Sequence, residues 1–139
     1  MEALDNLVRI RRLKAEPPDA REFEGMLKAA DTKLRDACIE GLSEDSQFSL
    51  AYGAAHALSL AALRWHGYRS ESRYIVFQCL QHTIGLPNAK WRVLDKCHSA
   101  RNLAEYEGYM DVNPQLLKEL IAITRELQSL VRDLPPIGN

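Results

Sequence analysis

The chain has 139 residues, of which 46% are hydrophobic and 27% charged, which is typical of a single folded domain. Eighteen basic and nineteen acidic side chains give a net charge of −1, which excludes a histone-like polycation but not a local basic patch. With only seven glycines and six prolines, the composition also argues against an all-β fold rich in tight turns. We therefore expect one helical domain that spans residues 1–139.

The cysteines and the N-terminus indicate the cellular compartment. The chain has three cysteines and no C-x-x-C motif, which favours reduced thiols over a disulfide framework or a zinc site. The N-terminus lacks the apolar core of a signal peptide, and the most apolar run, residues 50–63, is too short to span a bilayer. The sequence thus predicts a cytoplasmic protein with no membrane partner, no cofactor and no metal.

Hydrophobic residues recur at three- and four-residue steps along most of the chain, which predicts amphipathic helices. In chain order, the predicted helices cover residues 1–16, 20–41, 45–66, 71–84, 89–107 and 114–133. Pro17-Pro18 ends the first helix, and Asn113-Pro114 is a strong start signal for the last. The third helix is rich in alanine, which allows close helix packing and predicts a central position.

No segment alternates apolar and polar residues with a period of two, so no strands are predicted. Short connections between long helices favour antiparallel neighbours. The predicted fold is therefore an all-α, up-and-down helical bundle of five to six helices.

Basic residues are concentrated in the middle of the chain. Residues 61–101 contain seven basic and two acidic side chains, whereas the segments on either side are net acidic. A locally positive surface suits phosphate groups, and nucleic acid is a common source of them, although solvated helix faces without a partner would give the same pattern.

The segment from Leu94 to Tyr109 carries the most informative polar pattern. His98, Arg101, Asn102 and Glu105 are three and four residues apart, so they share one face of the predicted fifth helix. Such a set could hold a phosphate and move a proton, or it could form a hydrogen-bonded helix end. It is the main candidate site in the sequence.

An alanine-rich helix ending in Leu63-x-x-x-Gly67, a following helix with His82, and Arg101-Asn102 about 19 residues later resemble the HEPN (higher eukaryotes and prokaryotes nucleotide-binding) superfamily. The resemblance covers about residues 46–110. It implies an all-α fold, a homodimer with a composite cleft, and metal-independent ribonuclease activity or RNA or nucleotide binding. Some members pair with an antitoxin or a nucleotidyltransferase, so the resemblance also implies such a partner in a toxin–antitoxin system.

The family motif is an arginine, often followed by a polar residue, and then a histidine after four to six residues in all. Arg101-Asn102 matches its first half, but residues 106–108 contain Tyr106, Glu107 and Gly108 instead of the histidine. Tyrosine, with an ordinary pKa near 10, is a poor base at neutral pH. We therefore predict weakened or absent ribonuclease activity, with His98 as the imidazole that could replace the missing one.

The expected site residues follow from the motif and from the basic segment. The candidate catalytic residues are Arg101, Asn102, Tyr106 and His98. The candidate nucleic-acid-binding residues are Arg64, Arg69, Arg73, His82, Lys90, Arg101 and Glu105.

Three functions are compatible with the sequence. The first is an RNA- or nucleotide-binding protein, the second is a non-enzymatic dimerisation or interaction protein, and the third is an active endoribonuclease with a rearranged site. A homodimer is expected, with apolar surface offered by residues 65–74 and Trp91.

Overall fold

A bundle of helices with one short pair of strands makes up residues 1–138, the part of the chain that the computed structural model describes. In chain order the elements are α1 (Glu2–Arg9), β1 (Lys14–Ala15), α2 (Ala20–Ala37), α3 (Glu44–Trp65), β2 (Tyr68–Arg69), α4 (Arg73–Gln78), α5 (Leu80–Thr83), α6 (Asn88–Glu107) and α7 (Pro114–Arg132). The predicted all-α helical bundle is confirmed.

Helix α3 is the centre of the bundle, as its alanine content predicts. It packs mainly against α2 and α7 and also contacts α4, α5 and α6. Ala51, Ala54, Ala55 and Ala62 are fully buried, and their small side chains let neighbouring helices approach closely. The bounds of α3, α6 and α7 agree with the predicted ones to within one or two residues.

The first helix is shorter than predicted, because α1 ends at Arg9 and not at residue 16. Arg11 has φ 62°, in the left-handed region, and its amide donates to the Val8 carbonyl while the Arg12 amide donates to the Leu7 carbonyl. These two bonds form a Schellman motif, which ends a helix. The usual residue at the left-handed position is glycine, so the sequence carries no obvious stop signal here.

The prediction that the chain has no strands is wrong at one place. Lys14–Ala15 pairs antiparallel with Tyr68–Arg69, in the register Lys14 to Arg69 and Ala15 to Tyr68. The pairing satisfies backbone groups that a continued first helix would have used internally, and it joins segments more than fifty residues apart in the chain.

Two further helices differ from their predicted bounds. The second ends at Ala37 instead of residue 41, and Gly41 adopts φ 87° in the turn that follows. The predicted helix over residues 71–84 is divided at Cys79 into α4 and α5. Cys79 itself keeps a near-helical conformation, with φ −67° and ψ −16°, so the two short helices follow each other directly.

A smaller hydrophobic cluster lies apart from the main core. Its members are all buried and come from α1, the segment after it, the end of α3, β2 and α4 with the residue that follows: Leu4, Leu13, Leu63, Tyr68, Ile75, Val76 and Cys79. The Tyr68 hydroxyl donates to Asp5 at 2.5 Å, which adds a polar contact between α1 and β2. The N-terminal segment is thus held against the end of α3 by its own set of contacts.

Arg64 is buried, with 2% of its side chain exposed, and it connects three segments at the end of α3. Its Nε donates to Glu22 at 2.7 Å, while its Nη atoms donate to the carbonyls of Glu16 and Pro17 at 2.8 and 2.7 Å. The Glu16 carboxylate also lies 3.4 Å from Arg64. Arg69 donates to both carboxylates, to Glu16 at 2.8 Å and to Glu22 at 2.5 Å. We call Arg64, Arg69, Glu16 and Glu22 the Arg64 cluster.

Within residues 1–138, none of the helices combines the length and the apolar character that crossing a membrane requires.

Candidate functional site

A cleft of about 430 Å³ opens between α6 and the segment that leads into α4. We call it the cationic cleft, because two arginines line it. Its lining residues are Tyr52, Glu71, Ser72, Arg73, His98, Arg101, Asn102 and Glu105. The four polar residues that the sequence places on one face of α6 therefore all line the same cleft.

Helical spacing explains this convergence on α6. His98, Arg101, Asn102 and Glu105 lie in the last three turns of the helix, before Gly108 ends it with φ 84°. The first half of α6 buries Trp91, Leu94 and Cys97 of the same stripe in the core, which fixes the rotation of the helix. The polar face is consequently held toward α4 and the central helix.

Arg73 and Arg101 approach the same aromatic ring. Their guanidinium carbons lie 5.3 and 5.1 Å from the centre of the Tyr52 ring, which is itself fully buried. Cation–π contact of this kind orients a guanidinium group while leaving its N–H donors free for a ligand. The only carboxylate near Arg101 in the described part of the chain is Glu105, at 3.9 Å, and no ion pair to Arg73 is found there.

His98 is held by hydrogen bonds at both ring nitrogens. Its Nδ1 is 2.8 Å from the Tyr52 hydroxyl oxygen, and its Nε2 is 3.2 Å from the Asn102 amide nitrogen. Both contacts are satisfied when the Asn102 amide donates to Nε2 and the ring donates from Nδ1 to Tyr52. The hydrogen of the Tyr52 hydroxyl is then free to donate to a ligand.

Burial raises the pKa of Tyr52, and the positive charges of Arg73 and Arg101 only partly oppose the effect. The phenol consequently keeps its hydrogen at neutral pH and acts as a donor, not as a base. One turn further along α3, burial lowers the pKa of His56 to about 4, and the charges of Arg73 and Lys33 act in the same direction. The charge of Arg73 therefore acts on both of these rings.

Several residues predicted to bind nucleic acid lie elsewhere. Arg64 and Arg69 belong to the Arg64 cluster, where carboxylates and carbonyls occupy their donors, so the basic surface expected there is reduced. Lys90 is paired with Glu126 at 2.7 Å. His82 is half-buried on α5 and does not line the cleft.

Tyr106 also lies outside the cationic cleft. It stands where the family motif has histidine, but its side chain is 91% exposed and is not among the lining residues. The imidazole of the cleft is instead His98, one turn before Arg101 on the same helix.

Tyr52 is not among the site residues predicted from the sequence. Its position on α3 places it 46 residues before its hydrogen-bond partner His98. No spacing rule within one helix reveals such a pair. The available signal is a tyrosine hydroxyl on a buried helix face, because such a group needs a hydrogen-bond partner from a neighbouring helix.

No family model, curated protein or solved structure matches the chain. Among residues 1–138, no group of three or more His, Cys, Asp or Glu side chains is arranged to hold a metal ion.

Proposed function

We propose that the protein is a HEPN-like RNA- or nucleotide-binding protein that holds a phosphate group in the cationic cleft. The observation that carries this proposal is the convergence of the Arg73 and Arg101 guanidinium groups over the single ring of Tyr52. Two oriented arginines with free donors favour a phosphate, which each can bind with two parallel hydrogen bonds.

The other lining groups fit the same ligand. The Asn102 amide and the Tyr52 hydroxyl add neutral donors beside the two cations, while Glu71 and Glu105 lie at the edge and are exposed. Carboxylates in these positions can accept from ribose hydroxyls or base amino groups. The cleft volume of about 430 Å³ is within the range of small-ligand sites.

The arrangement favours binding over RNA cleavage. Both ring nitrogens of His98 are engaged, one by Tyr52 and one by Asn102, so neither is free to take a proton from a ribose hydroxyl. Tyr106, which stands at the motif position, lies outside the cleft. A plain interaction protein, the other alternative, would not require two arginines to converge on one ring, where within residues 1–138 Arg73 forms no ion pair and Arg101 forms only a long one of 3.9 Å with Glu105.

Replacing Arg101 with alanine is expected to weaken RNA or nucleotide binding about tenfold, because one charge-assisted contact with a phosphate is worth roughly 1.5 kcal/mol or more. The slope of log affinity against log salt for single-stranded RNA should fall by about 0.7. Fluorescence anisotropy with a labelled RNA oligomer at several salt concentrations measures both quantities. The melting temperature should change little, since 34% of the Arg101 side chain is exposed and its ion pair is long.

Arg92→Ala is the matched control, because Arg92 is an exposed arginine on the same helix that does not line the cationic cleft. Arg101→Lys separates charge from geometry, since lysine keeps the charge and loses the two-pronged donor. Equal losses of affinity in Arg92→Ala and Arg101→Ala would contradict the proposal. So would a destabilised Arg101→Ala protein with unchanged affinity.

The proposal includes a homodimer, supported by exposed apolar side chains on α6, which also carries four of the cleft residues. Leu103 and Tyr106 are three residues apart on α6 and are 56% and 91% exposed, and nearby Tyr109 is 67% exposed. The apolar surface expected at residues 65–74 and Trp91 is smaller, because Trp91 is buried in the core. A second copy packing on α6 would cover the exposed side chains and place two cationic clefts near each other.

Light scattering on the chromatographed protein is expected to give twice the chain mass at micromolar concentration. The double variant Leu103→Lys/Tyr106→Lys should be a monomer with an unchanged circular dichroism spectrum, because both side chains are exposed in the single chain. A monomeric wild-type protein would refute the dimer. The toxin–antitoxin role stays a prediction, which an adjacent antitoxin or nucleotidyltransferase gene would support.

A further inference from the structure

A second and larger cavity lies next to the cationic cleft. It has a volume of about 620 Å³ and runs between the segment after α1 and the segment before α4. We call it the N-terminal groove. Its lining residues are Val8, Arg11, Arg12, Leu13, Lys14, Ala15, Arg69, Ser70, Glu71, Ser72 and Ile75.

The groove is basic, and part of its charge has no internal partner. Arg11, Arg12 and Lys14 are exposed, and Glu71 is the only acidic side chain in its lining. Arg69 is neutralised in the Arg64 cluster, and Lys14 lies 3.8 Å from Glu16. Within residues 1–138, neither Arg11 nor Arg12 forms an ion pair. Two free guanidinium groups consequently face solvent at one cavity.

The backbone at Arg11 gives a second reason to look for a ligand here. Arg11 occupies the left-handed position of the Schellman motif, with φ 62°, where glycine would be more stable. The chain therefore carries a charged side chain at a position whose conformation disfavours one. Strain of this kind is common at functional sites, and here it aims a guanidinium group at the groove.

The two cavities are adjacent. Glu71 and Ser72 line both, so only the short segment from Ser70 to Ser72 separates the N-terminal groove from the cationic cleft. Ser70 accepts a hydrogen bond from the Ser72 amide, which makes this segment a tight turn. A chain of phosphates that leaves the cleft can pass over the turn and enter the groove.

We propose that the N-terminal groove is a second phosphate-binding site, and that groove and cleft together hold one single-stranded RNA oligomer. This proposal rests on the proposed function of the cationic cleft and specifies its ligand, an oligomer and not a mononucleotide. The half-buried Val8 lies in the same lining and offers apolar surface beside the cations. A mononucleotide would occupy one site at a time, whereas a linked chain gains the effective concentration of the second contact.

The test compares uridine monophosphate with a uridine RNA oligomer of about twelve nucleotides, within the range of single-strand site sizes. The wild-type protein should bind the oligomer on the order of a hundredfold more tightly than the monophosphate. Arg11→Gly/Arg12→Ala should lower oligomer affinity about tenfold, lower the salt slope by about 1.4, and leave monophosphate binding in the cleft unchanged. Arg101→Ala should weaken both ligands.

Arg11→Gly removes the charge while relieving the backbone, so the melting temperature of the double variant should not fall. The matched control is Lys28→Ala/Arg35→Ala, which removes two exposed cations from α2 that line neither cavity. This control should bind the oligomer like the wild type.

The two proposals fail in different ways. If Arg101→Ala weakens binding but Arg11→Gly/Arg12→Ala does not, the groove proposal is overturned and the cleft proposal stands. If the wild-type protein binds neither ligand, both are overturned. A polyglutamate peptide of matched charge is the competitor for the labelled RNA oligomer. If it displaces the oligomer as well as unlabelled RNA does, the groove binds negative charge alone, and RNA is overturned as its occupant.

Discussion

Replacing Arg64 with methionine is expected to lower the free energy of unfolding by about 3 kcal/mol. Methionine keeps much of the apolar stem of the side chain but removes every hydrogen bond made by the guanidinium group. Two backbone carbonyls, those of Glu16 and Pro17, would lose their donors, and Glu22 would lose its contact at 2.7 Å. The estimate takes the low end for a broken buried pair, because the two carboxylates are about one-third exposed.

Urea denaturation followed by circular dichroism measures this loss. Arg132→Ala is the matched control, because Arg132 also joins two carboxylates of α2, Glu24 and Asp31, but at a more exposed position. Its replacement should cost less than about 1 kcal/mol. If the two variants lost the same free energy, burial would not be what makes the Arg64 cluster important.

The second large effect is a loss of stability in weak acid that originates at His56. Its pKa is lowered to about 4 in the folded protein, from an ordinary value of 6.5, because the ring is largely withdrawn from water and faces cations on three helices. These cations are Arg73 on α4, Lys33 on α2 and Arg101 on α6, and the His98 ring of α6 faces it as well. Between the two pKa values the unfolded chain binds a proton that the folded chain does not.

Stability is therefore complete above about pH 6.5 and falls as the pH is lowered toward 4, by up to about 3 kcal/mol from this residue. His56→Gln removes the titrating group. The difference in unfolding free energy between wild type and His56→Gln should change between these pH values and be constant above and below them. A difference that is the same at every pH would refute the assignment.

Glu16 and Glu22 affect stability at a lower pH than His56 does. Their contribution drops out when the wild type is compared with His56→Gln. A hydrogen bond from Arg69 lowers the pKa of Glu16, and one from Arg64 lowers that of Glu22. A lowered carboxyl pKa contributes stability that is present above the ordinary value of 4.5 and is lost as the pH falls through the folded-state pKa. Both proteins carry these residues, so their contribution appears equally in each.

The long helices could be predicted because their hydrophobic residues repeat over many turns. Helices α3, α6 and α7 each contain at least nineteen residues, and their caps or glycine stops mark the ends. The end of α1 could not be predicted, because Arg11 adopts a left-handed backbone conformation that is unusual for arginine. The pairing of β1 with β2 depends on contacts across the fold and leaves no pattern in two residues.

The candidate site was partly visible for the same reason. His98, Arg101, Asn102 and Glu105 belong to one helix, so local spacing places them on one face. Tyr52 and Arg73 join them from other helices, and their convergence is a property of the packed bundle. Arg64 illustrates the opposite case, because a count of basic residues cannot tell an exposed cation from one that two distant glutamates hold in the interior.

The separate hydrophobic cluster under α1 gives the N-terminal segment contacts of its own. Detachment of residues 1–16 exposes this smaller cluster and breaks the strand pair and the bonds of Glu16 to Arg64 and Arg69, while the main core around α3 does not depend on these contacts. Such partial opening removes one wall of the N-terminal groove. The cationic cleft stays in place, because its residues belong to α3, α6, the segment before α4 and the start of α4. The protein therefore offers more phosphate contacts when residues 1–16 are packed against the end of α3 than when they are detached.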